Sequence, residues 1–149
     1  ILRGMLREER SGHVLATNMD AGFACVDLQA RTVTFAGAKI ALYYSDGDDV
    51  GELPGARRAI GDKRIGEYQN AQLPLQAGRS FYMTTDGFLD QAGGELGYGF
   101  GSSRFADMIR RHARLPLDEQ GLAFSATLAE YQGQHAQRDD ITMLCFRFD

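Results

Sequence analysis

The spacing of hydrophobic positions changes along the chain, and each change marks an element. From Leu2 to Arg10, Leu2, Met5 and Leu6 share one face with Arg7, Glu8, Glu9 and Arg10 mostly outside it, which predicts a helix ended by Gly12. From Gly22 the period drops to two, with Phe23, Cys25 and Asp27 on one side and Ala24, Val26 and Leu28 on the other. A Gln29-Ala30-Arg31 turn then leads to a second strand through Val33 and Phe35, so the pair reads as a hairpin. Ala36-Gly37-Ala38 supplies small residues where a backbone approaches closely, and Lys39 to Tyr44 resumes as a third strand.

Beyond Tyr44, Asp46-Gly47-Asp48-Asp49 lacks the alternating ligands and closing Glu of a calcium loop and reads as a hairpin turn. Gly51 to Lys63 is rich in Gly and Arg and reads as an exposed flexible loop, with Arg57, Arg58, Lys63 and Arg64 forming a local positive patch. Glu67–Leu75 and Arg79–Thr85 read as two strands joined by Gln76-Ala77-Gly78. After Gly97-Tyr98-Gly99-Phe100-Gly101, Ser102 or Ser103 is placed to cap a helix with Phe105, Met108 and Ile109 on its inner face. That Gly-rich run lacks the spacing and the strand-turn-helix setting of a dinucleotide fingerprint, which argues against nucleotide binding. A second helix follows Leu115-Pro116, with Asp118 and Glu119 near its N-terminus, Phe124, Leu128 and Tyr131 inward, and Gly133 at its close. The final strand is Ile141–Phe146. Helices and strands in this order predict an α+β fold, with largely antiparallel strands in a sheet or sandwich and the two late helices on one face.

Composition narrows the function class. The 149 residues are 44% hydrophobic and 24% charged, which suits one folded domain over residues 1–149 rather than a disordered tail. A net charge of −4 leaves no basic footprint for nucleic acid or an anionic membrane. No apolar run reaches the roughly 20 residues of a membrane span and no signal peptide opens the chain, so this piece is expected outside the membrane. Cys25 and Cys145 sit in apolar strand patterns and read as buried reduced thiols, which points to the cytoplasm. His13, His112 and His135 are scattered, without Cys at zinc-ligand spacing.

Two acidic turns carry the chemistry. Phe81-Tyr82-Met83 runs into Thr84-Thr85-Asp86-Gly87, and Arg138-Asp139-Asp140 runs into the last strand. Neighbouring strand ends would bring Asp86 and Asp139 together as half of a divalent-metal site. Hard cations such as Mg²⁺ and Mn²⁺ take oxygen ligands, keep several waters and need only a few anchoring carboxylates. Two such ions can activate a water and clamp a phosphoryl group. Gly87 permits a tight turn that a side chain would crowd. Asp-Gly is also a common turn dipeptide, and Asp-Asp before a strand is an ordinary solvated end.

TTDGFLDQ, the turn GYGFG, two helices and a terminal RDDITMLCFRF resemble, in that order, the C-terminal half of the metal-dependent protein phosphatases, the protein phosphatase 2C or PPM family. Upstream, DAGFACVDLQARTVTFAGAKIALYY and RIGEYQNAQLPLQAGRSFYMTTDG resemble its bacterial SpoIIE-like branch, and DAGF, FAGAKI and TTDGFLDQ look particularly like membrane-anchored signalling phosphatases of the SiaA type. The resemblance implies an antiparallel αββα sandwich flanked by helices, with the N-terminal part missing. It implies a binuclear Mn²⁺ or Mg²⁺ site with Asp86 and Asp139 as metal ligands and catalytic residues, and Asp140 orienting the turn. Asp90 reads as a solvent-facing loop acid. The implied substrate is phosphoserine or phosphothreonine on an anti-anti-sigma-like bacterial regulatory protein, in signal transduction, with the parent anchored in the inner membrane. The family's earlier metal-binding Asp and Asp-Gly pair have no counterpart before Asp20, so the chain reads as a fragment that is inactive alone. The alternative is a non-catalytic phosphatase-like module that holds a signalling partner. Open sheet edges predict edge-paired or domain-swapped homodimers.

Overall fold

The computed structural model describes residues 7–8, 15–64 and 66–148. Its strands are β1 (Arg7–Glu8), β2 (Leu15–Ala16), β3 (Ala21–Asp27), β4 (Thr32–Ala38), β5 (Leu42–Ser45), β6 (Val50–Leu53), β7 (Ala71–Pro74), β8 (Ser80–Thr84), β9 (Ala92–Gly93), β10 (Tyr98–Gly99) and β11 (Met143–Arg147). Its helices are α1 (Asp86–Asp90), α2 (Gly101–His112) and α3 (Leu117–Gln132). Two compact units divide the chain, one of residues 1–42 and 53–75, the other of residues 43–52 and 76–149. The α+β class with antiparallel strands is as the alternation and helical periods predict.

In the first unit, β4 pairs antiparallel with β3 on one side and β7 on the other. The predicted hairpin is therefore present, and Asp27 closes its turn by accepting hydrogen bonds from the Gln29 and Ala30 amides at 2.9 and 2.7 Å. The buried hydrophobic side chains of this unit include Val33, Phe35 and Ala38 of β4, with Leu42, Ala59 and Leu75. Phe23, Cys25 and Asp27 share the exposed side of β3, which corrects the expectation of a buried Cys25. Lys39 takes a left-handed φ of 63°, so the third strand begins at Leu42, not Lys39. The stretch expected to be a flexible loop is tied down: Lys39 N donates to Ala56 O and Ala56 N to Gly37 O, each at 2.8 Å, while Met19 and Ile60 exchange bonds. Only Ala71–Pro74 of the expected Glu67–Leu75 strand is paired. The helix expected over Leu2–Arg10 lies mostly outside the described residues, but Arg7–Glu8 form a strand paired with Leu15–Ala16.

In the second unit a four-stranded sheet has the order β11-β8-β5-β6. β8 is central, pairing antiparallel with β5 through Tyr43–Tyr82 and with β11 through Met143–Thr84 to Arg147–Ser80. A central strand needs apolar residues on both faces, and Phe81 and Tyr82 are fully buried. Asp46 sits in the β5–β6 turn, as expected of that acidic run, and the buried Arg79 forks onto its carboxylate with two bonds of 2.6 Å. That pairing holds the Asp46 carboxyl below its usual range. α2 buries Phe105, Met108 and Ile109, the face its period predicts, and α3 buries Phe124 and Leu128, while Tyr131, also expected inward, is only half-buried. Neither Ser102 nor Ser103 caps α2; the helix starts at Gly101, which supplies a φ of 78°, so both serines lie within its first turn. Gln120 was not foreseen in the core. It accepts from the Tyr82 hydroxyl at 2.9 Å and donates to Ala113 O and Leu115 O at 3.2 and 2.8 Å.

Candidate functional site

The pairing of β8 with β11 brings the two acidic turns together. Strand β8 is buried at every residue but Met83, and its chain emerges at Asp86, an exposed residue in the first turn of α1. On the neighbouring strand, Asp139 and Asp140 lie in the exposed segment just before β11, whose first pair is Met143 with Thr84. A buried strand that stops at the surface is a rigid mount for an acid that must face water.

Two threonines fasten the turns. Thr85 N donates to Thr142 O at 3.0 Å, and the Thr85 hydroxyl accepts from Thr142 N at 3.0 Å while donating to Asp140 O at 3.1 Å. The Thr84 hydroxyl donates to Thr142 O at 3.0 Å. Thr85 precedes α1 without capping it, because its hydroxyl is spent across the strands. Gly87 then lies flat against the second turn. A Cβ built there would be 3.1 Å from the Asp140 carbonyl carbon, 3.3 Å from Asp139 Cβ, and in hard overlap with the Asp140 oxygen. Asp86 therefore sits one residue from the point where the chain touches Asp139.

The acids divide their roles differently from the sequence expectation. Asp139 Oδ1 accepts from Asp140 N at 2.7 Å, so the side chain that shapes the turn belongs to Asp139. Asp140 contributes to the turn through its main-chain carbonyl rather than its carboxylate. Asp90 is exposed, as expected, but ends α1 instead of lying in a loop. Cys145, in β11, is half-buried, and burial pushes its thiol up to about 11.

Among the described residues, Asp86 has neither an ion pair nor a hydrogen bond to its carboxylate, and Asp139 keeps Oδ2 without a partner. Two exposed carboxylates with open oxygens are the donor set a hydrated hard cation takes. No group of three or more His, Cys, Asp or Glu side chains gathers for a metal among the described residues. The donors fit Mg²⁺ or Mn²⁺ anchored by two carboxylates, with the remaining positions filled from elsewhere. No described helix is long and apolar enough to cross a membrane. Sequence reasoning missed the Thr85 bridge, although the doubled threonine before Asp86 was its visible sign.

Comparison with known proteins agrees with this geometry. The model of the family described as Stage II sporulation protein E (SpoIIE) matches residues 4–149. The SiaA-PP2C domain of Pseudomonas aeruginosa superposes with a TM-score of 0.85 at 67% identity, over 91% of this chain and 54% of that one. The PP2C phosphatase domain of SpoIIE from Bacillus subtilis, solved with a fragment of its regulatory domain, gives 0.74 at 15% identity, over 99% of this chain and 42% of that one. A manganese-presoaked SpoIIE phosphatase domain from Bacillus subtilis gives 0.62 at 18% identity, over 87% of this chain and 56% of that one. The chain thus spans about half the length of the solved structures it matches. Among curated proteins none matches it. With the family match over nearly all its length and the PP2C-type phosphatase fold around the Asp86 and Asp139 turns, the chain belongs to the SpoIIE family.

Proposed function

We propose that the chain supplies Asp86 and Asp139 to the binuclear Mn²⁺ or Mg²⁺ centre of a serine/threonine protein phosphatase acting on a phosphorylated bacterial regulatory protein. The observation that carries this reading is the β8–β11 register, which sets the two carboxylate-bearing turns side by side. Bound divalent ions supply a nucleophile from water at neutral pH and neutralise charge on the phosphoryl oxygens. Asp86 and Asp139 would hold the ions from one side. Thr85 and Gly87 keep the two turns in register, and the Asp139–Asp140 hydrogen bond shapes the second turn, so ligand geometry is fixed before substrate arrives. Both acids are exposed, which suits a substrate presented on the surface of another protein. The family membership and the manganese-presoaked relative support divalent-metal dependence. The signalling role, an anti-anti-sigma-like substrate, a membrane-anchored parent and a homodimer belong to the same proposal and rest on the resemblance alone.

The test is Mn²⁺-dependent phosphate release from a phosphoserine peptide, by this chain and by a form extended upstream. Release by the extended form that Asp86→Ala abolishes is the expected result. The absence of a third metal-ligating side chain at the site among the described residues favours a second reading, a module that binds a regulator without hydrolysis. Folded protein of both lengths with no release would establish that reading in place of the first.

A further inference from the structure

Gln91 follows Asp90 at the end of α1 and is 2% exposed. Its Nε2 donates to its neighbour Ala92 O at 2.9 Å and to Ala136 O at 3.3 Å, and its main-chain carbonyl accepts from Phe100 N at 2.9 Å. Its Oε1 is buried with no hydrogen-bond partner. A buried amide with its acceptor unmet is costly, and an apolar side chain of the same shape would avoid that cost. The chain keeps the amide, so its donors deserve a function.

The Ala136 bond reaches the segment that leads to Asp139. Residues 133–140 are all exposed and lie between α3 and β11 without helix or strand pairing. His135 is placed by its ring against Gly94 O at 3.1 Å and by Gln132 Nε2 on its carbonyl at 2.9 Å. Gln137 Nε2 donates to Asp139 O at 2.8 Å from within the segment itself. At the far end, Thr85 holds Asp140 O. Gln91 is the fully buried side chain among these tethers, and it stands at the opposite end of α1 from Asp86.

We infer that Gln91 is a positioning residue for the carboxylate pair. Its amide ties the end of the helix that begins with Asp86 to the segment that delivers Asp139, and with Thr85 it holds that segment from both ends. The inference rests on the metal-anchor reading of Asp86 and Asp139. Supporting residues of this kind typically change metal affinity by roughly 10–100-fold when removed.

Gln91→Met tests it, because methionine keeps the length of the side chain while removing both the donor and the orphaned oxygen. Backbone ¹⁵N order parameters and Mn²⁺ affinity by titration calorimetry are measured in the wild type and the variant. The expected result is a fall of the Ala136–Asp140 order parameters below about 0.6, unchanged values in β8 and α2, and an undiminished melting temperature. Mn²⁺ affinity should weaken on the order of tenfold. Gln120→Leu, which disturbs another buried amide, should lower the melting temperature without a segment-specific loss of order. Order parameters unchanged at Ala136–Asp140, or lowered equally everywhere, would overturn the inference. If the segment loosens while even wild type fails to bind Mn²⁺, the tie stands and the metal reading falls. If both proteins bind Mn²⁺ equally and the segment stays ordered, the metal reading stands and the tie falls.

Discussion

Replacing Gly87 by alanine should separate the two acidic turns. The added Cβ would overlap the Asp140 carbonyl oxygen well inside 3.0 Å, with the Asp140 carbonyl carbon at 3.1 Å and Asp139 Cβ at 3.3 Å. The two nearest of these atoms are main-chain atoms of Asp140, held by the Thr85 bridge, so they cannot step aside as a flexible side chain would. Overpacking of this kind costs about 1–3 kcal/mol. Alanine regains about 1 kcal/mol at most from helix propensity in α1. The net loss after that regain, up to about 2 kcal/mol, lowers the melting temperature of a chain this size by as much as roughly 8 °C. Gly121→Ala is the matched control, because a Cβ there meets nothing within 4 Å and lies on the exposed face of α3. That change should stabilise by about 0.5–1 kcal/mol through propensity alone. Thermal unfolding followed by circular dichroism gives both numbers. A Gly87→Ala melting shift equal to that of Gly121→Ala, or more favourable, would refute the steric argument.

Gln120→Leu should destabilise by about 2–3 kcal/mol, because it strands the buried Tyr82 hydroxyl and two carbonyls that Gln120 now satisfies; an unchanged urea midpoint would contradict this. The Arg79 pairing lowers the Asp46 pKa in the folded chain, so its stabilisation is present above the unfolded value of about 4 and is lost as pH falls through the folded value. Asp46→Asn should therefore flatten the fall in stability between neutral pH and about pH 3, and parallel curves for the two proteins would exclude that contribution. Since Asp46 is half-exposed, the effect should also shrink with added salt. Iodoacetamide should label Cys25 well before Cys145, whose thiol is half-buried and raised to about 11; equal rates by mass spectrometry would count against the exposure of β3.

The helices were legible because a 3.6-residue period states which side is buried without reference to anything distant. Phe105, Met108 and Ile109 needed only their own spacing to be assigned inward. The β3–β4 hairpin was legible for the same reason, but its facing was not. Phe23 and Cys25 are as apolar as Ala24 and Val26, so alternation gave two faces and no way to choose between them, and the structure exposes the one carrying Phe23 at 72%. Where main-chain bonds decide, the sequence is quieter still. Nothing in Gly51 to Lys63 advertises that Ala56 and Ile60 pair with Gly37, Lys39 and Met19, so a Gly- and Arg-rich stretch reads as loose although it is fastened.

At the site, the residue types were readable, and their juxtaposition at neighbouring strand ends stayed an expectation until the register was known. Gly87 shows the difference. Read along the chain, a glycine after Asp86 means conformational freedom. Its φ is not among the positive values, and what it provides is the absence of a side chain facing Asp140. The requirement comes from a turn remote in sequence and adjacent only through the β8–β11 pairing. The same pairing explains how two acids without described cationic partners are kept close. Like charges gain nothing from proximity, so the register must impose it through backbone and threonine bonds that hold at any charge state of the carboxylates. On the proposed function, a bound hard cation would supply the compensation for the negative charge that this strand pairing gathers.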